Sequence, residues 1–337
     1  MPRVVRSVLA GAGPVWVALI VLACVATLPY TMSAPGTART PRYAATDLDR
    51  ALLPPFWAPH RLDERERIDA LAAQGVRARP WLGTDRLGRD LLTRCLVGGG
   101  ISLAIGAAAA LVAVGVGTLY GTMAGLSGRR TDGVLMRVVD VLYGLPTILL
   151  VVLIAVAVDG LADEARAAQA RGADTGWGGV LALADRDAGW VNVVTLLVAI
   201  GGVSWLTLAR VIRGQVLSLR GRPFMEAAMV VGTPLSRRVR VHVLPNLAGP
   251  IIVYGTLAVP AAILSESFLS FLGIGVREPL PSWGNLAADG LAELNVVRSR
   301  WWLLVWPCVL VGLTLLAING VGERLRRRLD PRSEPTS

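Results

Sequence analysis

Residues 220–246 read RGRPFMEAAMVVGTPLSRRVRVHVLPN and lie between two strongly apolar runs. Pro223 suits a first helical position, where a missing N–H leaves no bond unmade. Phe224, Ala227, Ala228 and Val231 then recur at helical spacing along one apolar face. Gly232 suits the left-handed conformation that ends a helix, and Thr233 with Pro234 supplies a new N-cap and first turn. A second helix through Arg237, Arg238 and Arg240 is expected to stop before Pro245, because the residue ahead of a proline avoids the helical region. The stretch is thus a short helix, a glycine elbow and a basic helix.

The same residues carry a family pattern. Glu226-Ala227-Ala228, Gly232 and Leu244-Pro245 stand at the spacing of the cytoplasmic EAA loop of permease subunits of bacterial ABC importers, which this stretch resembles. His242 stands where the broad consensus has isoleucine, and histidine there is similar to the peptide and nickel importer branch. The resemblance implies that the loop docks in a cleft of a cytoplasmic ATPase and passes its closure to the membrane helices. The docking set it implies is Pro223, Phe224, Glu226, Ala227, Ala228, Gly232, His242, Leu244 and Pro245. Two further stretches are similar to the same branch: LGTDRLGRDLLTRCLVGGGISLAIG at 82–106 and ESFLSFLGIGVREPLPSWGN at 266–285.

Composition supports a membrane protein independently. Of 337 residues 53% are hydrophobic, and the mean hydropathy of +0.55 is that of a chain with several spans, which excludes an ordinary soluble globule. The net charge is +10, carried by arginine alone, and the arginines flank apolar runs; this fits the positive-inside rule better than nucleic-acid binding. Cys24, Cys95 and Cys308 are isolated, form no zinc spacing, and are expected as small packing residues.

In chain order, Arg3 and Arg6 precede a first span at 13–32, expected to be retained because no small-residue cleavage site closes it. Residues 35–97 are polar and expected outside the membrane, helical at 62–73. Asp85 and Asp90, set among Arg86 and Arg89, are expected to form ion pairs at the membrane surface and not a metal site. A second span at 101–124 presents Gly106, Gly115, Gly117 and Gly121 for close helix contact. The third, 134–158, can bend at Pro146, and Asp140 near its inner end is expected to pair with Arg137 or to snorkel. Residues 159–189 form an acidic, glycine-rich segment expected as a flexible loop, either disordered or touching an extracytoplasmic partner. The fourth and fifth spans are expected at 190–211 and 247–271, the latter bent at Pro250 and Pro260. Glu266 is the most interior acid; it either lines a pathway or pairs with a neighbouring helix. The sixth span, 301–318, begins with Trp301, Trp302 and Trp306 as an interfacial belt, and a basic tail at 323–337 closes the chain.

The expected architecture is an all-α membrane protein of about six transmembrane helices with both termini cytoplasmic, divided into 1–34, 35–97, 98–322 and 323–337. The resemblance implies a type I ABC importer permease fold in a bacterial cell membrane. No P-loop, HExxH or GxSxG motif is present, and His60 and His242 fall in different compartments under this topology. The chain is therefore expected to be a non-catalytic pathway without cofactor or metal. The partners implied by resemblance are a homologous second permease in a heterodimer, two ATP-binding subunits and an extracytoplasmic binding protein. Di- and oligopeptides are the implied cargo, with nickel as the alternative. A proton-coupled carrier or membrane-embedded enzyme using Asp140 and Glu266 is the rival from another class.

Overall fold

The computed structural model of the chain describes residues 3–34, 40–73, 75, 79–171, 188–294 and 299–329. Its helices are α1 Arg3–Met32, α2 Leu62–Ala73, α3 Leu91–Leu126, α4 Arg129–Tyr143, α5 Thr147–Ala170, α6 Ala188–Arg220, α7 Pro223–Val230, α8 Leu235–Arg238, α9 Leu244–Phe271, α10 Trp283–Ala292 and α11 Trp302–Leu329. Among the described residues five helices are long and apolar enough to cross a membrane, or six if α4 and α5 count as one broken span.

The core is the pairing of α3 with α6, the most extensive helix contact in the molecule, with α9 laid against both. Small residues allow it. A Cβ on Gly117 would lie 3.0 Å from the Trp205 carbonyl oxygen, and one on Gly121 2.5 Å from that of Ala209, so the two backbones touch where no side chain fits. Gly106 gives α9 the same access, with Ile263 against it, whereas Gly115 faces open space and takes no part in the seam. α1 lies along α11, where Gly13 meets Ala317, and buries Cys24 against Trp283. Cys95 is buried as well, but Cys308 is exposed on α11.

Three expectations are corrected. The third span is not one gently bent helix: α4 and α5 meet at 91°, at Gly144–Pro146, where proline removes an N–H and excludes a continuous helix. The segment after residue 158 is not loop from its start, because α5 continues to Ala170, pinned at Asp159 by Arg277 (3.0 Å); residues 172–187 lie outside the described residues. The tryptophans at the start of α11 do not all serve the interfacial belt expected of them. Trp302 is buried with Leu91, Cys95, Leu286 and Leu303, while Trp301 and Trp306 pack edge-on to Trp57 of the polar segment, at 6.0 and 6.1 Å between ring centroids. α3 begins at Leu91, capped by Asp90, whose carboxylate accepts from the Thr93 N–H at 2.9 Å, so the helix starts within the stretch expected outside the membrane.

Candidate coupling loop and cargo groove

The loop after α6 is built as sequence logic dictates, up to its last turn. Pro223 is the first residue of α7 and Arg222 its N-cap. Gly232 has φ +74°, and the turn it makes is a Schellman closure: its N–H donates to the Met229 carbonyl (3.0 Å) and the Thr233 N–H to the Ala228 carbonyl (3.0 Å). A Cβ at Gly232 would have no heavy atom within 4 Å, so the demand for glycine is conformational and not spatial. The N-cap of α8 is Pro234 and not Thr233, with no side-chain cap. The second helix does not stop before Pro245 either. α8 passes through a π turn at Val239–Val243 straight into α9. The Leu244 N–H reaches back five residues to Val239, a wider register that carries the chain past a proline at the start of α9.

One side of the loop is anchored and the other is bare. Met225 is buried among Ile212, Val216, Val243 and Leu247. Phe224 is exposed and stacks obliquely on His242, with 6.0 Å between centroids. Val230 and Val231 are 89% and 83% exposed, and Leu235 and Leu244 are exposed beside them. The apolar face expected on α7 is therefore real but faces outward, with Met225 as the one residue turned in. Glu226 and Ala227 are exposed in the first turns of α7, and Ala228 is half-buried. The base of the loop is fixed by Arg220, whose guanidinium donates to the carbonyls of Gly125 (2.9 Å) and Ser127 (3.2 Å) at the α3–α4 turn.

The two acids expected in or near the spans part company. Glu266 is fully buried in α9 and accepts from Ser270 (Oγ to Oε1, 2.8 Å) and Ser267 (3.3 Å), residues of its own helix; the Ser270 hydroxyl in turn accepts from the Val276 N–H at 3.0 Å. Glu266 also faces Ser102 of the neighbouring α3 and Ser282 at the head of α10. Asp140 is exposed and pairs with Arg210 of α6 (3.0 Å), not with Arg137, and the Arg210 guanidinium lies 4.2 Å from the Tyr143 ring centroid. Tyr143 is also on the wall of a groove of about 240 Å³, open on one side, between α3, the α4–α5 break, α6 and α9.

A charged cluster that sequence reading only half anticipated sits ahead of α3. Asp85 pairs with Arg89 and Arg94 (2.6 Å each), and Glu278, in the turn after α9, accepts from Arg89 at 2.7 Å. Asp85, Arg89 and Arg94 are buried, so this is an interior network and not a surface one, and Asp90 belongs to the helix cap instead. Burial by itself would raise the Asp85 carboxyl, but Arg94 and Arg89 outweigh it and hold it below the usual carboxylate range; Glu278 is lowered in the same way, chiefly by Arg89. Asp289 nearby is raised, because burial there exceeds the pull of Arg94 and Arg86. Arg94 and Glu278 went unflagged, although both fall within the two stretches that carry the family pattern.

These features define a class: a polytopic helical membrane subunit whose core is a close α3–α6–α9 packing, with an exposed loop on one side and a hydroxyl-bearing groove within. The chain belongs to the family described as the binding-protein-dependent transport system inner membrane component, whose model matches residues 117–335. It is 37% identical over 278 residues to the oligopeptide transport system permease protein OppC of Haemophilus influenzae, covering 82% of this chain and 78% of that one. The dipeptide transport system permease protein DppC of Bacillus subtilis is 38% identical, over 84% of this chain and 77% of its own. OppC of Escherichia coli is 40% identical, over 83% and 82%. The permease fold and the multi-pass placement in the membrane follow from that membership.

Proposed function

We propose that the chain is a permease subunit of an ATP-driven importer of di- and oligopeptides, and that residues 220–246 are its coupling loop. The observation that carries this is the bare apolar crest of the loop. Val230, Val231, Phe224 and Leu235 stand exposed on a segment flanked by arginines, where lipid tails cannot cover them, so a protein partner must. The partner is an ATPase, because this chain has no phosphate-binding motif of its own. Peptide is favoured as cargo over nickel by the names of the relatives. The complete importer holds a second, homologous permease, two ATP-binding subunits and an extracytoplasmic binding protein, and this chain has both termini and the loop in the cytoplasm. A proton carrier built on Asp140 and Glu266 is disfavoured by their placement, one held by Arg210 and the other sealed among serines.

The test is reconstitution. The purified chain alone, given ATP, is expected to show neither hydrolysis nor uptake of a tripeptide, and to gain both with the subunits that copurify with it. Uptake by the lone chain in ATP-depleted, energised vesicles would establish the carrier instead.

A further inference from the structure

The groove beside the α4–α5 break has an unusual wall for an apolar chain. Six hydroxyl-bearing residues line it: Tyr143, Thr147, Ser204, Thr207, Tyr254 and Ser265, with no charged side chain among its lining. Ser204 and Ser265 donate to carbonyls of their own helices, at 2.7 and 3.0 Å. Among the described residues the hydroxyls of Tyr143, Thr147, Thr207 and Tyr254 make no hydrogen bond within the protein. Four free hydroxyls facing lipid would each be left unsatisfied, so the groove faces water or a polar cargo. Neutral donors and acceptors without charge suit the peptide main chain, which offers both in every unit whatever the side chain.

A charged pair stands beside this groove and meets it at Tyr143. Arg210 lies one turn beyond Thr207 on α6, in the direction of the loop, and is held between the Asp140 carboxylate and the Tyr143 ring. A second pair joins the same two helices: Arg213 makes a two-pronged bond to Asp132 at 2.5 and 2.6 Å. The two pairs differ in grip. Arg213–Asp132 is bidentate and mostly shielded, with side chains 30% and 15% exposed; Arg210–Asp140 is a single contact, 41% and 60% exposed. Exposed single pairs are weak and readily exchanged for water, whereas forked ones persist. α6 continues through Arg220 directly into α7, so a pull on the loop acts on this arginine row first.

We propose that Arg213–Asp132 is the hinge between α4 and α6, and that Arg210, clamped by Asp140 and Tyr143, is the latch closing the loop-side end of a peptide-bearing groove. Release of the Asp140–Arg210 pair when the loop moves opens the groove toward the cytoplasm. This rests on the importer assignment for the direction of transport and for the cargo, but the latch itself is a property of this chain.

The test has two arms in a Cys308→Ser background, where the remaining cysteines are buried. In the first, the importer complex with Asp140→Cys and Arg210→Cys is reconstituted, and ATP-driven uptake of trialanine is measured before and after a bifunctional methanethiosulfonate bridges the pair. Bridging should abolish uptake and reduction should restore it; undiminished uptake by the bridged protein overturns the latch. In the second, the full chain alone carries Thr207→Cys in open membrane fragments. Its labelling by a water-soluble methanethiosulfonate should quicken roughly two- to five-fold with Asp140→Asn or Arg210→Gln, the range set by loss of an exposed pair. Equal rates in latch variants and parent would refute it. If the parent complex takes up no trialanine, the importer assignment fails, and the labelling arm still decides the latch.

Discussion

Two arginine–carboxylate sites on one chain show how burial divides anchoring from motion. The cluster ahead of α3 joins Asp85, Arg89, Arg94 and Glu278, three of them buried, and ties the polar segment to the turn after α9 across nearly two hundred residues of sequence. The Asp140–Arg210 pair joins α4 to α6 by one contact, open to solvent on both sides. A charge inside the first cluster cannot lose its partner without being stranded in low dielectric; a charge in the second simply rehydrates. The first therefore holds a fixed frame, and the second can open and close.

The largest expected effect breaks the frame. Arg94→Met leaves Asp85 buried with half its compensation gone and should destabilise the protein by about 3–5 kcal/mol, the usual cost of removing one partner from a buried pair. Arg210→Met should change stability by less than about 1 kcal/mol. Heat denaturation of the two variants in detergent, side by side, checks the contrast, and equal losses would erase it.

A pH series sharpens the same difference. Asp85 and Glu278 are both held below their ordinary range, so their stabilising contribution is complete above the unfolded value near about 4 and is lost as pH falls below it toward the folded values. Thermal stability should be level from about pH 8 to about 5 as far as this cluster is concerned and drop below about 4. In Arg94→Met the acid-driven fall should begin from an already lowered plateau and be shallower, since the carboxylates have less to lose. The smallest effect concerns the loop. Glu226 sits exposed in the first turn of α7, where a charge near the helix N-terminus is worth under about 1 kcal/mol, so Glu226→Ala should give only a mild transport defect.

Much of this was legible in the sequence because it is written in local rules. Pro223 starts α7, and Gly232 ends it with the positive φ that a glycine flanked by apolar helix and Thr-Pro announces. The spans follow from runs of apolar residues, and the α3 contacts of Gly106, Gly117 and Gly121 from their spacing. What escaped depends on partners distant in the chain. Asp140 lies near Arg137 in sequence, yet three residues along a helix did not outweigh the guanidinium that α6 brings to it. The joining of Glu278 to Arg89, and of Trp57 to Trp301 and Trp306, needs the folded polar segment. Pro245 misled because a π turn, invisible to any residue pattern, let the helix pass it.

The central claim is that the bare loop couples this chain to an ATPase through the elbow at Gly232, and Gly232→Val tests it most directly. The added side chain meets no neighbour, so its only effect is on the backbone, where a branched residue at positive φ costs roughly 1–3 kcal/mol or swings α7 away from α8. Uptake of a tripeptide and recovery of ATPase are measured on the same membranes and normalised to inserted permease, with Gly232→Asn as the control that tolerates a left-handed backbone. Gly232→Val should insert normally and lose transport, with ATPase association weakened or hydrolysis continuing without cargo, while Gly232→Asn retains most of both. Wild-type transport by Gly232→Val would contradict the account and reduce the elbow to a connector.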